Sequence, residues 1–553
     1  MATSARSHVT ADYVRTAIDR TQGRSMVMTT GGVAASEHPL ASQAGASILA
    51  RGGNAVDAAI AVNAVMTVVA PMMNGIGGDL FAIIYDAATS TLHGINGSGY
   101  APAGLSIDTL RQIGVTTMPQ TGIHSVTVPG AVAAWARLSE LLGRLPLSDL
   151  LSPAIQIADE GFPVPEITAL EWASAEPLLR ADAEATRIYL PQGRPPLTGE
   201  VFRNPDLAAT YRALAFEGRD VFYRGHVARR IVACSRLHGG TLKAADLESY
   251  DAEFVVPLST TYRGWTVYEL PPNGQGIAAL MMLNLLEKSP IGSYGHNSAE
   301  ALHTLIEAKK LAYADMAKYV CDPAFHGIPI STLVSKEYAA TRAREIDPAR
   351  ANPEVAAGRL PSKGDTTYLS VVDRDGNIAS LIQSNFANFG SGLVPQGAGF
   401  VLQNRGGLFS LDPGHANALE ARKRPLHTII PGFIAKDEVR IAFGIMGGWN
   451  QAQAHAQFVS NVVDHGMNIQ AALEAPRVTK LTFGGCDVIA ESRVPALARA
   501  GLEEKGHEIE LAGAFSSLVG GGQAVMRDFE AGVSYGASDP RKDGAAIPEP
   551  FLP

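Results

Sequence analysis

Cysteine is scarce in this chain of 553 residues, which contains only Cys234, Cys321 and Cys486. The count is odd and no two cysteines form a Cys-x-x-Cys pair, which argues against a disulfide framework and a zinc ribbon. The chain also has no His-Glu-x-x-His segment and no clustered His and Cys spacing of the kind that binds zinc. We therefore expect three buried free thiols, no metal and no cofactor.

Long apolar runs and blocks of like charge are also absent. The best candidate for a membrane span, residues 58–70, is interrupted by Asn63 and ended by Pro71, short of the roughly 18 apolar residues that a span needs. The formal net charge is −9, with acids and bases mixed along the chain, so we expect neither nucleic acid nor a membrane as a partner. Residues 1–24 are polar and charged and show no secretory signal, which predicts a cytoplasmic location.

The motifs of several large enzyme classes are missing. There is no GxxxxGK[ST] phosphate loop and no GxSxG elbow. The segment 75–78 fails as a dinucleotide fingerprint, because Leu80 takes the place of the third glycine. These absences weigh against kinases, dehydrogenases, zinc hydrolases and α/β-hydrolases. Length alone favours roughly two to four domains.

Glycines, capping residues and hydrophobic spacing predict several regular elements. Asn54 followed by Asp57 is typical of a helix start, just after Gly52 ends the preceding helix. Asn297 with Glu300 predicts the start of another helix in the manner of a capping box. The predicted helices are 39–51, 54–69, 297–322 and 453–464, and the predicted strands are 80–85, 366–372, 378–384, 439–443 and 520–526.

One threonine stands where a self-released nucleophile would stand. Residues 358–363 have the composition of an exposed, cleavable connector, and a hairpin with its turn at 373–377 follows. Thr366 heads the first strand of that hairpin, directly after the connector. Two threonines at a strand start are also common in ordinary strands, so this pattern alone leaves a structural role open.

Cleavage before Thr366 would give this residue both of the groups that acyl transfer needs. A threonine hydroxyl is a weak nucleophile without a base beside it. A free α-amine has a pKa of about 7.7–8, so much of it can accept a proton near neutrality. The same hydroxyl could attack the Asp365 carbonyl and perform the cleavage by an N→O acyl shift.

Many separate segments, in order along the chain, resemble the γ-glutamyltranspeptidase family over roughly residues 30–545. The segments are 34–42, 52–58, 75–79, 126–130, 271–276, 307–313 and 538–544. The resemblance implies an α+β fold, the αββα four-layer sandwich of N-terminal nucleophile hydrolases. It also implies cleavage between Asp365 and Thr366 into a large chain, 1–365, and a small chain, 366–553. The two would form one intertwined unit.

The same resemblance implies a catalytic set. Thr366 matches the nucleophile of the family. Ser384 stands where the family has a threonine that supports the nucleophile, and serine keeps the hydroxyl donor and acceptor. Gly447 and Gly448 match the glycine pair whose backbone N–H groups form the oxyanion hole, each worth on the order of 3 kcal/mol. Without the resemblance, this glycine pair would equally suit a plain tight turn.

The pocket departs from the family at the positions that hold a γ-glutamyl group. Ser98 replaces the arginine that binds the α-carboxylate, Leu408 replaces the aspartate that binds the α-ammonium, and Phe386 replaces a nearby asparagine. An α-ammonium and an α-carboxylate without partners would cost roughly several kcal/mol to desolvate. These departures therefore argue against the usual substrate of the family.

One new charge enters the pocket. Arg405 stands where the family usually has Gln or Glu, and His427 and Thr428 replace a pair of serines. Arginine suits a planar carboxylate, so we hypothesise that Arg405 binds a substrate carboxylate with help from His427 or Thr428. An outward-facing arginine or a structural ion pair is the alternative. Such a pocket is similar to that of small-amide hydrolases such as oxamate amidohydrolase.

Three functions follow from these patterns. The first is an autoprocessed amidase that acts on a small amide bearing a carboxylate. Segment 410–417 is too short for the lid loop of several family members, so we expect hydrolysis over transfer. The second is an authentic γ-glutamyltransferase or glutathione hydrolase, and the third is a non-processing scaffold or binding protein. The number of processed heterodimers per assembly stays open, a dimer among the options.

Overall fold

Two seven-stranded β-sheets face each other at the centre of the protein. The computed structural model describes residues 22–355 and 365–551, so the predicted connector at 358–363 lies outside the described residues. The strands are β1 Val27–Thr29, β2 Val33–Ser36, β3 Asp79–Asp86, β4 Thr91–Gly97, β5 Phe162–Pro163, β6 Val201–Phe202, β7 Glu253–Val255, β8 Leu258–Tyr262, β9 Trp265–Glu269, β10 Asp365–Val372, β11 Ile378–Phe386, β12 Gly432–Lys436, β13 Val439–Ile445, β14 Val478–Thr479, β15 Asp487–Glu491, β16 Glu508–Ala512, β17 Gly522–Asp528, β18 Val533–Ser538 and β19 Ala545–Pro548.

Sheet 1 has the strand order β19-β2-β10-β11-β3-β4-β7, and sheet 2 has the order β1-β18-β17-β13-β12-β9-β8. Every neighbouring pair within these two sheets is antiparallel. Each sheet combines strands from before residue 355 with strands from after residue 365. The two parts of the chain therefore build the same two sheets.

Helices cover the outer face of each sheet. The α-helices of the described chain are α1 Pro39–Ala50, α2 Ala55–Val69, α3 Ile107–Gln112, α4 Ala131–Leu142, α5 Leu147–Glu160, α6 Glu166–Ser174, α7 Glu176–Leu179, α8 Ala183–Tyr189, α9 Pro205–Glu217, α10 Asp220–Tyr223, α11 His226–Leu237, α12 Ala244–Glu248, α13 Gly276–Leu286, α14 Ile291–Tyr294, α15 Ala299–Tyr319, α16 Ile330–Leu333, α17 Lys336–Arg342, α18 Gln451–Val463, α19 Ile469–Glu474 and α20 Ala496–Glu504. Helices α1 and α2 pack on sheet 1, while α13, α18 and α19 pack on sheet 2. The predicted αββα sandwich is confirmed.

An apolar layer fills the space between the two sheets. Phe81, Tyr368 and Ile382 from sheet 1 meet Phe433 and Val525 from sheet 2, and all five are buried. Alternation along each strand sends every second side chain into this layer and the others toward the helices. The strands are therefore apolar on both faces, which explains why they read as nearly continuous hydrophobic runs.

The local predictions held for most elements. The Asn54 side chain accepts the N–H groups of Val56 and Asp57, each at 3.0 Å, and Asp57 accepts the Asn54 N–H in return. The prediction that Asn297 caps the next long helix is wrong. Ser298 caps α15 instead, because Asn297 adopts a left-handed φ of 54° and donates its amide to the Pro476 carbonyl.

The three cysteines are free, as predicted. Cys234 and Cys321 are buried, but Cys486 is half-buried, so the expectation of three buried thiols is wrong for this one. Burial raises the pKa of the Cys321 thiol to about 11. Within residues 22–355 and 365–551, no helix has the length and hydropathy that crossing a membrane requires.

Candidate active site

Thr366 lies buried at the start of β10, next to Ser384 on the adjacent strand β11. Its Oγ1 donates a hydrogen bond of 3.3 Å to Ser384 Oγ and accepts one of 3.3 Å from Gln451 Nε2. The register between β10 and β11 shifts between Asp365 and Thr367, so Thr366 occupies a bulge. A bulge leaves one residue out of the ladder and re-aims its side chain. The hairpin thus brings together the two hydroxyls that the sequence singles out.

Phe386 is the last residue of β11 and follows Ser384 by two positions. Its backbone has a φ of 79°, which is rare for an aromatic residue. The Phe386 N–H donates to Ser384 Oγ at 2.7 Å, which holds this conformation. Ser384 Oγ therefore contacts the Thr366 hydroxyl and a backbone amide at the same time.

Gly447 and Gly448 form the turn between β13 and α18. Their φ angles are 117° and 58°, and a side chain at Gly447 would place Cβ only 3.2 Å from Cβ of Asn450. Glycine is therefore required for this turn. The Gly448 carbonyl accepts a hydrogen bond of 2.8 Å from Gln275 Nε2, and Gln451 follows three residues later at the start of α18. The turn is thus connected to Thr366 through Gln451.

Arg405 is fully buried, although arginine is among the residues most often exposed. Its Nη1 donates to Thr428 Oγ1 at 2.6 Å, and its guanidinium carbon lies 4.4 Å from the centre of the Phe386 ring. Nε is 3.9 Å from Asp79 Oδ2, which is too long for a hydrogen bond. Within the described residues, Nε and Nη2 have no hydrogen-bond partner. Two nitrogens of this buried guanidinium, which carry three N–H groups between them, are therefore unused.

His427 faces Asp79. Its Nε2 lies 2.9 Å from Asp79 Oδ2, and its Nδ1 accepts the Ile429 N–H at 3.3 Å. Asp79 Oδ1 accepts the Gly99 N–H at 3.0 Å. Burial raises the pKa of Asp79 to about 7, against the opposing effect of Arg405. Burial and then Arg405 hold the pKa of His427 well below its usual range. Of the two predicted helpers, only Thr428 touches Arg405 in this arrangement.

The two remaining departures from the family pocket carry no charge. Ser98 is buried and donates its hydroxyl to Asn96 Oδ1 at 2.8 Å. Leu408 is fully buried in the apolar core next to sheet 2. Neither side chain can balance the charge of an α-carboxylate or an α-ammonium.

Three polar residues near this site were not predicted as functional. Asp79 ends the segment 75–79, Gln275 lies in the segment 271–276, and Gln451 follows the glycine pair. The first two segments carried the family resemblance, and that was the only signal available in the sequence. Their side chains meet Arg405, Gly448 and Thr366 only after the layers pack.

A buried group of metal-capable side chains lies elsewhere in the described chain, formed by His303, Glu307 and His507. His303 Nδ1 is 2.9 Å from His507 Nε2, and its Nε2 is 2.7 Å from the Asp347 carbonyl. The Lys310 ammonium pairs with Glu307 at 2.7 Å. Both nitrogens of His303 are engaged and Lys310 places a positive charge on the carboxylate, although His507 Nδ1 has no partner among the described residues. We therefore assign no metal to the group.

Comparisons with known proteins agree with the geometry. The profile of the γ-glutamyltranspeptidase family matches residues 41–549. The glutathione hydrolase-like YwrD proenzyme of Bacillus subtilis is 38% identical over 519 residues, covering 93% of this chain and 97% of that protein. The oxamate amidohydrolase proenzyme of Klebsiella pneumoniae is 35% identical over 529 residues, covering 94% and 98%.

A solved structure extends the likeness to the whole fold. The crystal structure of cephalosporin acylase from Bacillus halodurans superposes with a TM-score of 0.90 at 41% identity, covering 96% of this chain and 98% of that one. A match of this length and identity covers nearly the whole of the fold described above. The chain belongs to the γ-glutamyltranspeptidase family and is an enzyme of its amidohydrolase and acyltransferase class.

Proposed function

We propose that this chain cleaves its own Asp365–Thr366 bond and then uses Thr366 to hydrolyse amides of small acyl groups that bear a carboxylate. The observation that carries the substrate class is Arg405, a buried guanidinium with two unpaired nitrogens. Relatives named as proenzymes support the processing step. The cytoplasmic location and an assembly of processed heterodimers stay predictions.

Self-cleavage begins with the Thr366 hydroxyl. Its oxygen attacks the Asp365 carbonyl carbon, and the hydroxyl proton passes to the departing Thr366 nitrogen, which leaves an ester. Water then cleaves the ester into the Asp365 carboxylate and the free hydroxyl. Ser384 and Gln451 hold the attacking oxygen between them at 3.3 Å each, which limits its rotation before attack.

Turnover repeats this chemistry on a substrate amide. The freed α-amine of Thr366 accepts the hydroxyl proton as the oxygen attacks, and it returns the proton to the leaving amine. The N–H groups of Gly447 and Gly448 stabilise the oxyanion, at about 3 kcal/mol for each donor. Water then hydrolyses the acyl-enzyme.

Arg405 would bind the carboxylate of the acyl group. Its two unpaired nitrogens match the two oxygens of a carboxylate, and the bond to Thr428 holds the third nitrogen in place. Each buried donor left unpaired costs about 1–3 kcal/mol. A bound carboxylate would recover this free energy, and the Phe386 ring below the guanidinium would keep water away.

A γ-glutamyl substrate is the second candidate, because relatives of this chain include glutathione hydrolases. Such a substrate also carries an α-ammonium, which needs an anionic or polar partner. The buried Leu408 stands at the position where the resemblance would place that partner. We therefore place monoamides of dicarboxylic acids, including oxamate, ahead of γ-glutamyl amides.

Intact-mass spectrometry tests the nucleophile. Wild type should separate into two chains whose masses add to the 58.2 kDa of the precursor plus one water, with Thr366 as the new N-terminus. Thr366→Ala should stay whole. Thr367→Ala is the matched control, because it removes a neighbouring buried hydroxyl from the same strand, and it should process normally. An uncleaved wild type would favour the scaffold function.

A substrate panel on processed enzyme tests the pocket. Oxamate, succinamate and glutaramate should be hydrolysed faster than neutral amides of equal length and faster than a γ-glutamyl anilide. Turnover of the γ-glutamyl anilide without turnover of the dicarboxylic monoamides would establish the second candidate instead. Adding glycylglycine as an acceptor should change the product little, because we expect hydrolysis to outrun transfer.

A further inference from the structure

Asp79 is the only carboxylate within 4 Å of the Arg405 guanidinium in the described chain. One of its oxygens, Oδ2, lies 2.9 Å from His427 Nε2 and 3.9 Å from Arg405 Nε. The other oxygen accepts the Gly99 N–H. The carboxylate is thus held in place by His427 and Gly99 and faces Arg405 without closing a hydrogen bond to it.

The hydrogen bonds of His427 decide where an added proton can go. Nδ1 accepts the Ile429 N–H, so the neutral ring carries its hydrogen on Nε2 and donates it to Asp79. A protonated His427 would direct a second hydrogen at the Ile429 N–H. The Phe81 ring packs 4.7 Å away and offers no other acceptor. An added proton therefore goes to Asp79.

The other titratable groups around Asp79 are either paired with an opposite charge or neutral. Arg424 lowers the pKa of Asp79, but its charge is balanced by an ion pair with Glu253 at 2.8 Å. The charge of Asp79 also acts on the phenol groups of Tyr223 and Tyr250. Burial raises the pKa of both phenols, so both are neutral. Above about pH 7, where Arg405 is positive, Asp79 negative and His427 neutral, these three groups together carry no net charge.

A substrate carboxylate disturbs that balance. Its binding at Arg405 would bring two carboxylates to one guanidinium in a fully buried site. Like charges this close favour protonation of one partner. We propose that Asp79 takes up one proton from solvent when a carboxylate-bearing acyl group binds at Arg405, so that substrate binding is linked to proton uptake. This inference rests on the proposed function.

The first test compares two anilides of equal length. Glutaryl p-nitroanilide carries the carboxylate and pentanoyl p-nitroanilide does not, so the ratio of their kcat/KM values cancels the titration of the Thr366 amine. Asp79 has a pKa of about 7 in the empty site. Below this pH the proton is already present and the ratio should be constant. Above it the ratio should fall about tenfold per pH unit.

Two variants separate a proton-linked role from a structural one. Asp79→Asn is neutral at every pH, and burial lowers the pKa of Arg405 to about 9, so the ratio for this variant should stay constant from about pH 6 to 8. Glu269→Gln is the matched control, because it removes the carboxylate charge from another buried carboxylate–imidazole pair, Glu269 and His455 at 2.7 Å. Its ratio should fall with pH as in wild type. A wild-type ratio that is constant with pH would overturn the inference.

Calorimetry tests the same claim without a variant. Glutarate binding to processed wild type at about pH 8, measured in phosphate and in Tris, should show uptake of about one proton. Binding without uptake would overturn the proton link and leave the carboxylate site intact. No glutarate binding, together with no preference for glutaryl anilide at about pH 6, would refute the proposed substrate class itself.

Discussion

Replacing Arg405 by Gln removes the charge that we propose for substrate recognition. Arg405 is fully buried, contacts Thr428 through Nη1 and covers the Phe386 ring. Glutamine can keep part of the packing and one hydrogen bond, but it cannot present two positive donors to a carboxylate. The substitution should therefore change the choice of substrate more than the chemistry at Thr366.

The expected loss follows from the two unpaired nitrogens. Hydrogen bonds to charged groups contribute about 1.5–3 kcal/mol each, so two of them supply about 3–6 kcal/mol. Desolvating the substrate carboxylate offsets part of this gain. A net loss of about 3 kcal/mol corresponds to roughly a hundredfold lower kcat/KM for glutaryl p-nitroanilide. Pentanoyl p-nitroanilide, which lacks the carboxylate, should lose less than about threefold.

The assay measures both anilides on processed enzyme at about pH 6, where Asp79 is mostly protonated and does not remain as an unpaired buried charge. Arg405→Lys should lie between wild type and Arg405→Gln, because it keeps the charge and loses the planar fork. Arg493→Gln is the matched control, since its guanidinium also covers an aromatic ring, Phe515 at 3.9 Å. Equal losses on both anilides, or no loss on the acidic one, would refute the reasoning.

Three further changes test the surroundings of the site. Ser384→Ala should slow both self-cleavage and turnover, measured by intact mass and by anilide hydrolysis. Ser384→Thr should keep both rates near those of wild type. Equal rates for Ser384→Ala and wild type would show that Ser384 takes no part in the chemistry. Gly447→Ala should lower kcat about a hundredfold or more by distorting the turn, with KM nearly unchanged; normal kcat in a folded variant would contradict this role. Burial raises the pKa of Glu37 from 4.5 to about 8. Between these two pH values the folded chain keeps a proton on Glu37 that the unfolded chain releases. The free energy of unfolding therefore falls as pH rises from about 4.5 to 8. Glu37→Gln has no carboxyl group to titrate at this position. The Tm of this variant minus the Tm of wild type should therefore increase between pH 5 and 9. A difference that does not change with pH would contradict the linkage.

The elements that sequence reasoning predicted well are those whose contacts are local. The hairpin of β10 and β11 and the helix start at Asn54 depend on residues within a few positions of one another. The cap of α15 failed for the opposite reason. Asn297 is drawn away by the carbonyl of Pro476, which is distant along the chain, so Ser298 takes the capping role.

The candidate site divides in the same way. Thr366 and Ser384 lie on two arms of one hairpin, so their proximity could be predicted. Gln451 reaches Thr366 across 85 positions, and His427 reaches Asp79 across 348. No local pattern predicts such contacts, because they arise from the packing of different layers.

By itself the sequence determined the family, the four-layer fold and the candidate nucleophile, and it predicts the loss of the usual γ-glutamyl contacts. These properties depend on residue identity and order. Only the tertiary structure decided that Arg405 points inward, that two of its nitrogens have no partner, and that Asp79 with His427 stands opposite it. The physical reason is burial. Removal from water makes an unpaired guanidinium costly and shifts the pKa of Asp79 toward neutrality, and burial at this site exists only once the sheets and helices pack around it.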